Sequence, residues 1–253
     1  MLTDEQLRAA HARYHTGTWP RLGYATVRDY ADSLQHLRPL AAFNEDLKDA
    51  QRPWVFKALL GRVPRGGRVL EIGAGHPHVA DLWTRLGYDV TVVDPYDGCG
   101  GGPREFEELA ARFTKLTFVR ANFGPRLDTL ASASFDAITS ISVLEHVPMD
   151  GLADIGAGIA RFLKPGGWSI HAVDHVQLGA GDAWHVEHHR QLFEHMGLAA
   201  DLLPNALDEL AADPDTYFLS PSGHCRWLGD RPYDEFPMRR CVSLQVCAPR
   251  STG

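Results

Sequence analysis

The fold is decided by the stretch Arg68–Gly75, which reads RVLEIGAG. It has a short apolar run that favours a buried strand, and it ends in two glycines separated by one residue. Ligands of open α/β sheets bind beyond the carboxyl ends of the strands, where glycine allows the backbone to approach them closely. The stretch therefore predicts a strand followed by a ligand-binding loop.

The segments after this loop alternate between helical and strand patterns. We predict strands at residues 89–93, 116–120, 135–141, 168–173 and 241–246, and helices at 79–86, 105–113, 152–163 and 187–196. Helices between successive strands indicate parallel pairing with right-handed crossovers. The last strand follows an irregular stretch, so we expect it to pair antiparallel near the edge of the sheet.

Composition excludes several classes of function. Hydrophobic residues make up 44% of the 253 residues and charged residues 23%, as in ordinary globular proteins. A net charge of -7 argues against nucleic acid as a partner, and we expect no membrane span and no secretory signal. The four cysteines form no CxxC pair, so we expect reduced thiols in a cytoplasmic protein: Cys99, Cys225, Cys241 and Cys247.

Asp94 ends the second predicted strand, about 20 residues after Gly73, where a carboxylate accepts hydrogen bonds from a ribose in folds of this kind. A nicotinamide dinucleotide would fit the two glycines and this acid equally well. The third glycine of a dinucleotide motif is replaced by His78, which follows Pro77. A bulky ring and a missing amide donor both disfavour a pyrophosphate at this position.

The chain resembles the class I S-adenosylmethionine-dependent methyltransferases, and more narrowly the ubiquinone-type (methyltransferase type 11) branch. The resemblance covers roughly residues 50–175 and rests on segments in a specific order: LEIGAG at 70–75, VVD at 92–94, FDAI at 135–138 leading to VLEHV at 143–147, and LKPGG at 163–167. It implies a Rossmann-like, doubly wound α/β fold with a mostly parallel seven-stranded sheet, one antiparallel strand near its edge and an N-terminal helical cap.

The resemblance also implies that S-adenosylmethionine is the cofactor. Gly73, Ala74 and Gly75 would then pack under its methionine portion, with Glu71 ordering the loop and Asp94 holding the ribose hydroxyls. The remaining cofactor-binding candidates are Ile141 near the sulfur, Asn122 at the adenine amine, Arg52 at the carboxylate, and Phe123.

Methyl transfer to a hydroxyl group requires removal of a proton, and histidine is the natural base. The catalytic candidates lie at the ends of the fourth and fifth predicted strands: His146, and the neighbours Asp174 and His175. A second histidine group lies in the run His185–His189, HVEHH. These spacings also occur in metal sites, but we interpret the run as a polar helix face and predict no metal.

We expect one integrated domain with a helical cap at residues 1–60, a cofactor-binding core at 61–200, and a substrate loop and final strand at 201–253. The stretch Leu203–Arg240 is too long for a simple connection, so we expect it to cover the acceptor. We expect the protein to methylate a small molecule, in the first place at an oxygen atom. A homodimer is one option for its oligomeric state. Two alternatives stay open: an NAD(P)-dependent oxidoreductase and a catalytically silent cofactor-binding protein.

Overall fold

Seven strands form a single sheet in this computed structural model, which describes residues 1–44, 46–98, 102–179, 181–220, 223 and 238–250. The strands are β1 (Leu22–Tyr24), β2 (Arg68–Ile72), β3 (Asp89–Val93), β4 (Thr117–Val119), β5 (Phe135–Ile141), β6 (Leu163–Gly179) and β7 (Met238–Pro249). Their order across the sheet is β1-β7-β6-β5-β2-β3-β4. This arrangement confirms the predicted α/β fold.

The strand order reverses at β2. This strand pairs in parallel with β3 on one side and with β5 on the other, so that Leu70 lies opposite both Thr91 and Ile138. Loops leaving the carboxyl ends of β2 and β5 therefore part in opposite directions and leave a crevice between them. Ligands of doubly wound folds bind at such a reversal point.

Helices cover both faces of the sheet. They are α1 (Asp4–Tyr14), α2 (Val27–His36), α3 (Arg38–Ala41), α4 (Lys48–Arg62), α5 (His78–Arg85), α6 (Phe106–Arg112), α7 (Leu152–Phe162), α8 (Asp182–His195) and α9 (Leu202–Ala212). Val69 of β2 belongs to a core that contains Trp54 of α4, whereas its neighbour Leu70 belongs to a second core that contains Phe162 of α7. Because side chains alternate along a strand, β2 is buried from both sides.

β7 runs antiparallel to β6, as predicted for the last strand, but the edge of the sheet is β1. The cap at residues 1–60, which the sequence predicted to be helical, therefore also contains a short strand. Leu22 lies opposite Val246 of β7 and is only 7% exposed. A strand of three residues is too short to show the alternation of apolar and polar residues by which strands are recognised. β1 forms because β7 presents an unpaired edge to it.

The stretch Leu203–Arg240, expected to be irregular, begins with α9. Leu203, Ala206 and Leu210 have helical spacing and are buried in the second core. In the part of this stretch after α9, Tyr217 packs beside Tyr30. His224, Trp227 and Tyr233, which the same stretch contains, lie outside the described residues.

Of the four cysteines predicted to be free thiols, two lie in the described part of the chain. Cys241 and Cys247 are free and buried, whereas Cys99 and Cys225 fall outside the described part of the chain. Among the described helices, none is long and apolar enough to cross a membrane.

Candidate active site

The loop after β2 is held against the end of β5. Gly73 has a φ of +63°, and a Cβ atom at this position would lie 2.6 Å from Cγ1 of Val143. Its amide also donates a hydrogen bond of 2.8 Å to the carbonyl of Val93. Glycine is therefore required here both by the left-handed backbone and by the close approach of Val143.

Asp94 fixes the other side of the same loop. Its Oδ2 accepts a hydrogen bond of 2.9 Å from the amide of Gly75, and its Oδ1 accepts one of 2.7 Å from the amide of Tyr96. The residue is only 9% exposed. Each carboxylate oxygen keeps a further lone pair, which is the requirement for accepting ribose hydroxyls. Ala74 is partly buried against the core on the α4 side.

Glu71 is a buried carboxyl group at the end of β2. Burial raises its pKa to about 8, while Arg52 opposes this shift and Asp94 adds to it. Oε2 of Glu71 has no hydrogen-bond partner among the described residues. Glu71 is therefore a buried group whose unpartnered oxygen is available to a ligand, while its predicted role in ordering the loop stays a prediction.

Arg52 lies on α4 with its side chain 18% exposed. Its Nη1 donates a hydrogen bond of 2.6 Å to Oδ1 of Asn44, and desolvation lowers its pKa. Arg52 lines a cavity of about 290 Å³ together with Phe43 and His78. A guanidinium beside a cavity can bind a carboxylate through two parallel hydrogen bonds, and the assignment of Arg52 to the cofactor carboxylate stays a prediction.

Tyr96 was not predicted to belong to the site. It adopts a φ of +49°, and its hydroxyl is buried with no hydrogen-bond partner in the described structure. Burial raises its pKa, and the charges of Asp94 and Glu71 act in the same direction. Its position two residues after Asp94 is the only sequence signal that could have identified it.

A second polar group lies between the end of β5 and the middle of β6. Asp174 accepts hydrogen bonds from Nε2 of Gln51 at 2.7 Å and from Oγ of Ser142 at 3.3 Å. Nζ of Lys48 donates to Oγ of Ser142 at 3.0 Å. Ser142 has a φ of +52°, a strained conformation that clusters at functional sites. Lys48, Gln51 and Ser142 were missed because the cap and the strand end carry no recognisable motif.

Glu145, which is buried, and Asp174, which is half-buried, form a pair of carboxyl groups. Oε1 of Glu145 accepts a hydrogen bond of 3.2 Å from the amide of Asp174, and Oε2 has no partner in the described residues. Burial and the like charge of Asp174 raise the pKa of Glu145 to about 8. The pKa of Asp174 is also raised, mainly by burial. Two neighbouring carboxyl groups of this kind hold a proton at neutral pH more readily than either would alone.

His146 lies in a short 3-10 turn, Leu144–His146, next to this pair. The residue is exposed at the surface. Desolvation lowers the pKa of its imidazole, whereas the charge of Asp174 opposes that shift. A neutral imidazole that can reach solvent or a ligand is able to accept a proton.

The side chain of His175 lies on the opposite face of β6 from that of Asp174, contrary to the predicted arrangement. Neighbouring residues of a strand face opposite sides of the sheet, and Asp174 contacts α4 whereas His175 packs against α8. The His175 ring lies 5.3 Å from the ring of His189 between centroids, and burial lowers its pKa to about 4. The two predicted catalytic neighbours therefore cannot act on the same atom of an acceptor.

The remaining cofactor candidates follow neighbouring strands. Ile141 ends β5, lies opposite Ala172 of β6 and is partly buried. Asn122 is exposed after β4, and the ring of Phe123 packs against Phe162 of α7 at 6.1 Å between centroids. The structure therefore places Ile141 beside the crevice, while Phe123 contributes to the core beneath α7.

The run His185–His189 is not the polar helix face predicted from the sequence. His188 and His189 are fully buried, whereas Trp184 and Val186 are 45% and 39% exposed. The reason is that α8 packs on β6 and α7 through its histidine side. Periodicity could not reveal this because the histidines face inward at positions where apolar residues are the rule.

The curated relatives and solved structures carry methyltransferase names almost throughout. The chain is 35% identical over 103 residues to ubiquinone biosynthesis O-methyltransferase from Nitrosococcus oceani, an alignment that covers 40% of this chain and 41% of that protein. The namesake from Xanthomonas axonopodis is 35% identical over 108 residues, with 41% of each chain covered. The chain thus spans about two fifths of the length of the curated relatives it matches.

Two solved structures share the fold. Geranyl diphosphate C-methyltransferase from Streptomyces coelicolor superposes with a TM-score of 0.50 at 13% identity, covering 97% of this chain and 98% of that one. The [4+2]-cyclase SpnF superposes with a TM-score of 0.50 at 17% identity, covering 81% and 83%. At these identities the likeness concerns the fold alone.

The family itself is shown by a model of the methyltransferase domain, which matches residues 43–228. That range contains the loop after β2, Asp94, and the polar group around Asp174. The resemblance found in the sequence is therefore confirmed. The chain belongs to the methyltransferase-domain family of class I, S-adenosylmethionine-dependent methyltransferases.

Proposed function

We propose that the protein transfers a methyl group from S-adenosylmethionine to an oxygen atom of a small-molecule acceptor. The proposal depends on one observation: the glycine loop after β2 touches Val143, and the preceding residue, Ser142, begins the polar group that contains Asp174. A cofactor on the loop and an acceptor at the polar group would therefore meet across the crevice where the strand order reverses.

The residues of the loop fit the cofactor. Asp94 has free lone pairs for the ribose hydroxyls, Arg52 offers a guanidinium to the carboxylate, and Gly73 and Gly75 leave the backbone accessible. When bound, S-adenosylmethionine supplies an electrophilic methyl group on a sulfonium. The unpartnered hydroxyl of Tyr96 is a further polar atom that a bound ligand can satisfy.

The start of α5 argues against a dinucleotide in the same crevice. His78 is the first residue of this helix, and its ring lies 6.0 Å from that of Phe113 and 5.9 Å from that of Phe43 between centroids. The residue before the helix is Pro77, which has no amide to offer. A pyrophosphate would need helix amides where this chain has an aromatic cluster and a proline.

His146 is the residue we assign as the proton acceptor. It is exposed, it is kept neutral by its lowered pKa, and the charge of Asp174 favours the imidazolium that forms when it takes a proton. Gln51 and Ser142 hold Asp174 in place. Assignment of the acceptor atom as oxygen is supported by the curated O-methyltransferases and by this base, since a hydroxyl acceptor must lose its proton.

The experiment uses S-adenosylmethionine with a deuterated methyl group and a panel of phenols, catechols, aliphatic alcohols and amines. We expect mass spectrometry to find the label on oxygen. In His146→Gln, kcat should fall by about 10²–10⁴-fold, the usual contribution of a positioned base, while cofactor affinity stays unchanged. His195→Gln, which alters an exposed histidine of α8, is the matched control.

Label found only on nitrogen or carbon would contradict the assignment to oxygen. A His146→Gln variant with the kcat of the wild type would contradict the assignment of the base. A protein that binds the cofactor but labels nothing in the panel would favour the catalytically silent alternative.

We also propose that residues 201–253 select the acceptor, whereas 61–200 bind the cofactor and 1–60 form the cap of one integrated domain. A Gly/Ser linker of equal length in place of residues 224–234 should abolish transfer and leave cofactor binding intact. Calorimetry and the transfer assay measure the two properties separately. Loss of both would contradict this division.

A further inference from the structure

Three histidines meet between β6 and α8, on the side of the sheet opposite Asp174. They are His175 of β6 with His185 and His189 of α8, and one ring nitrogen from each lies within 4.8 Å of the other two. The Nδ1 atoms of His175 and His189 are 3.4 Å apart. His175 and His189 are buried, and His185 is half-buried.

The nitrogens of this cluster are poorly satisfied by the protein. Nδ1 of His189 donates to the carbonyl of His185 at 2.7 Å, which leaves Nε2 as a buried lone pair without a partner among the described residues. Nδ1 of His185 is buried without one as well. Buried polar atoms of this kind usually have a partner, and an ion is one such partner.

His171 shows what a purely structural histidine looks like on the same strand. It is fully buried, and its two ring nitrogens lie 2.8 Å from Oγ of Ser140 and 2.8 Å from Oγ of Ser169. Both nitrogens are therefore used within the protein. The cluster of His175, His185 and His189 differs from His171 in having ring nitrogens to spare.

We propose that His175, His185 and His189 bind one divalent transition-metal ion of the zinc class. Imidazole nitrogens favour zinc and its neighbours over magnesium and calcium, which prefer oxygen ligands. Zinc–nitrogen bonds of about 2.0–2.1 Å place the ligand nitrogens of a tetrahedral site roughly 3.4 Å apart. The three nitrogens, which lie within 4.8 Å of one another, would therefore draw closer together when an ion binds.

The hydrogen bond from His189 to the carbonyl of His185 supports this assignment. Metal-binding histidines usually donate their other ring N–H to a carbonyl or a carboxylate, which fixes the tautomer and the ring orientation. With three protein ligands, a fourth coordination position would remain for water or another small ligand. The ion would link β6 to α8, and this proposal departs from the prediction of no metal that the sequence alone suggested.

The test is metal binding, independent of methyl transfer. The untagged protein is stripped with a chelator and titrated with Zn²⁺ by calorimetry and with Co²⁺ by visible absorption. We expect one equivalent of each ion, the intense bands of a four-coordinate cobalt ion, and a higher Tm with Zn²⁺ because the ion binds only the folded state.

The primary variant is His185→Ala, because this side chain is half-buried and its loss endangers folding least. We expect it to weaken Zn²⁺ binding by more than about 100-fold, since even loss of a group that only orients a ligand costs 10–100-fold. His175→Gln should remove the cobalt bands. His195→Ala, an exposed position on the same helix, is the control and should bind as the wild type does.

Wild-type protein that takes up no Zn²⁺ and gives no cobalt spectrum would overturn the proposal. So would His185→Ala binding Zn²⁺ as tightly as the wild type, which would place the ion elsewhere. Neither result depends on whether the protein methylates anything, so failure here and failure of the proposed function can be told apart.

Discussion

At the residue scale, Gly73 constrains both the backbone conformation of the loop after β2 and its packing. Its backbone is left-handed, and its missing side chain is what allows Val143 to approach the loop after β2 so closely. The sequence predicted glycine here for close approach to a ligand, and the structure adds that the first close approach is made by the protein itself. Sequence could not reveal Val143 as the partner, because the two residues meet only through the parallel pairing of their strands.

Gly73→Ala should destabilise the fold by about 2–5 kcal/mol, which combines roughly 1–2 kcal/mol for the left-handed conformation with the cost of the clash. Gly66→Ala is the control, because Gly66 also has a positive φ but a Cβ atom added there would have no neighbour within 4 Å. It should cost only the conformational part. Denaturant unfolding measures both.

Val143→Ala provides the second half of the test. It removes the two methyl groups that lie 2.6 Å and 2.8 Å from the added Cβ, so in the double variant the cost of Gly73→Ala should shrink. Strict additivity of the two substitutions would contradict the steric argument.

Glu71 should make stability depend on pH. Its pKa is about 8 in the folded protein, well above the usual range of a glutamate, so between these values the native state binds more protons than the unfolded state. The free energy of unfolding should therefore fall as pH rises from about 5 to 8, by an amount on the order of 1 kcal/mol per pH unit for one such group.

Glu71→Gln should make this slope shallower without abolishing it, because Glu145 has a raised pKa for the same reason. Glu107→Gln, on the exposed face of α6, should leave the slope as it is. Urea unfolding at a series of pH values measures the effect. Equal slopes for Glu71→Gln and the wild type would mean that Glu71 is ionised in the folded state throughout this range.

At the scale of elements, the sequence predicted those helices and strands that hydrophobic periodicity or a motif can identify. The strands from β2 to β5 and the antiparallel β7 were recognisable because each is an apolar run bounded by turn residues. β1 was missed because its three residues owe their conformation to pairing with β7, and α9 was missed because prolines and acids nearby hid its apolar spacing. The histidine face of α8 was misread because burial, unlike spacing, is not visible in one sequence.

Leu22→Ala tests whether the short β1 stabilises the sheet. Leu22 is 7% exposed and belongs to the core on the α7 side, so truncation should cost about 2–4 kcal/mol of unfolding free energy. Val27→Ala, at a position 47% exposed on α2, should change stability by less than about 0.5 kcal/mol. Equal effects in denaturant unfolding would show that β1 is peripheral to the core.

At the scale of the whole molecule, the two large cores lie on opposite sides of one sheet and the candidate site lies where the strand order reverses. The cofactor side of this site was predictable from sequence, because its residues follow strands β2 and β3 in a recognisable order. On the proposed acceptor side, the sequence pointed only to Asp174 and His146. Lys48, Gln51 and Ser142 come from separate elements that only the fold brings together.

The central claim is that the crevice beside Asp94 binds S-adenosylmethionine, and calorimetric titration tests it most directly. We expect micromolar binding of S-adenosylmethionine and S-adenosylhomocysteine and no binding of NAD. Asp94→Ala should weaken binding by about 10–100-fold, in line with roughly 1.5–3 kcal/mol for hydrogen bonds to a charged group, whereas Asp89→Ala, at the opposite end of β3, should not. Binding of NAD, or equal affinity of Asp94→Ala and the wild type for the sulfur compounds, would contradict the account.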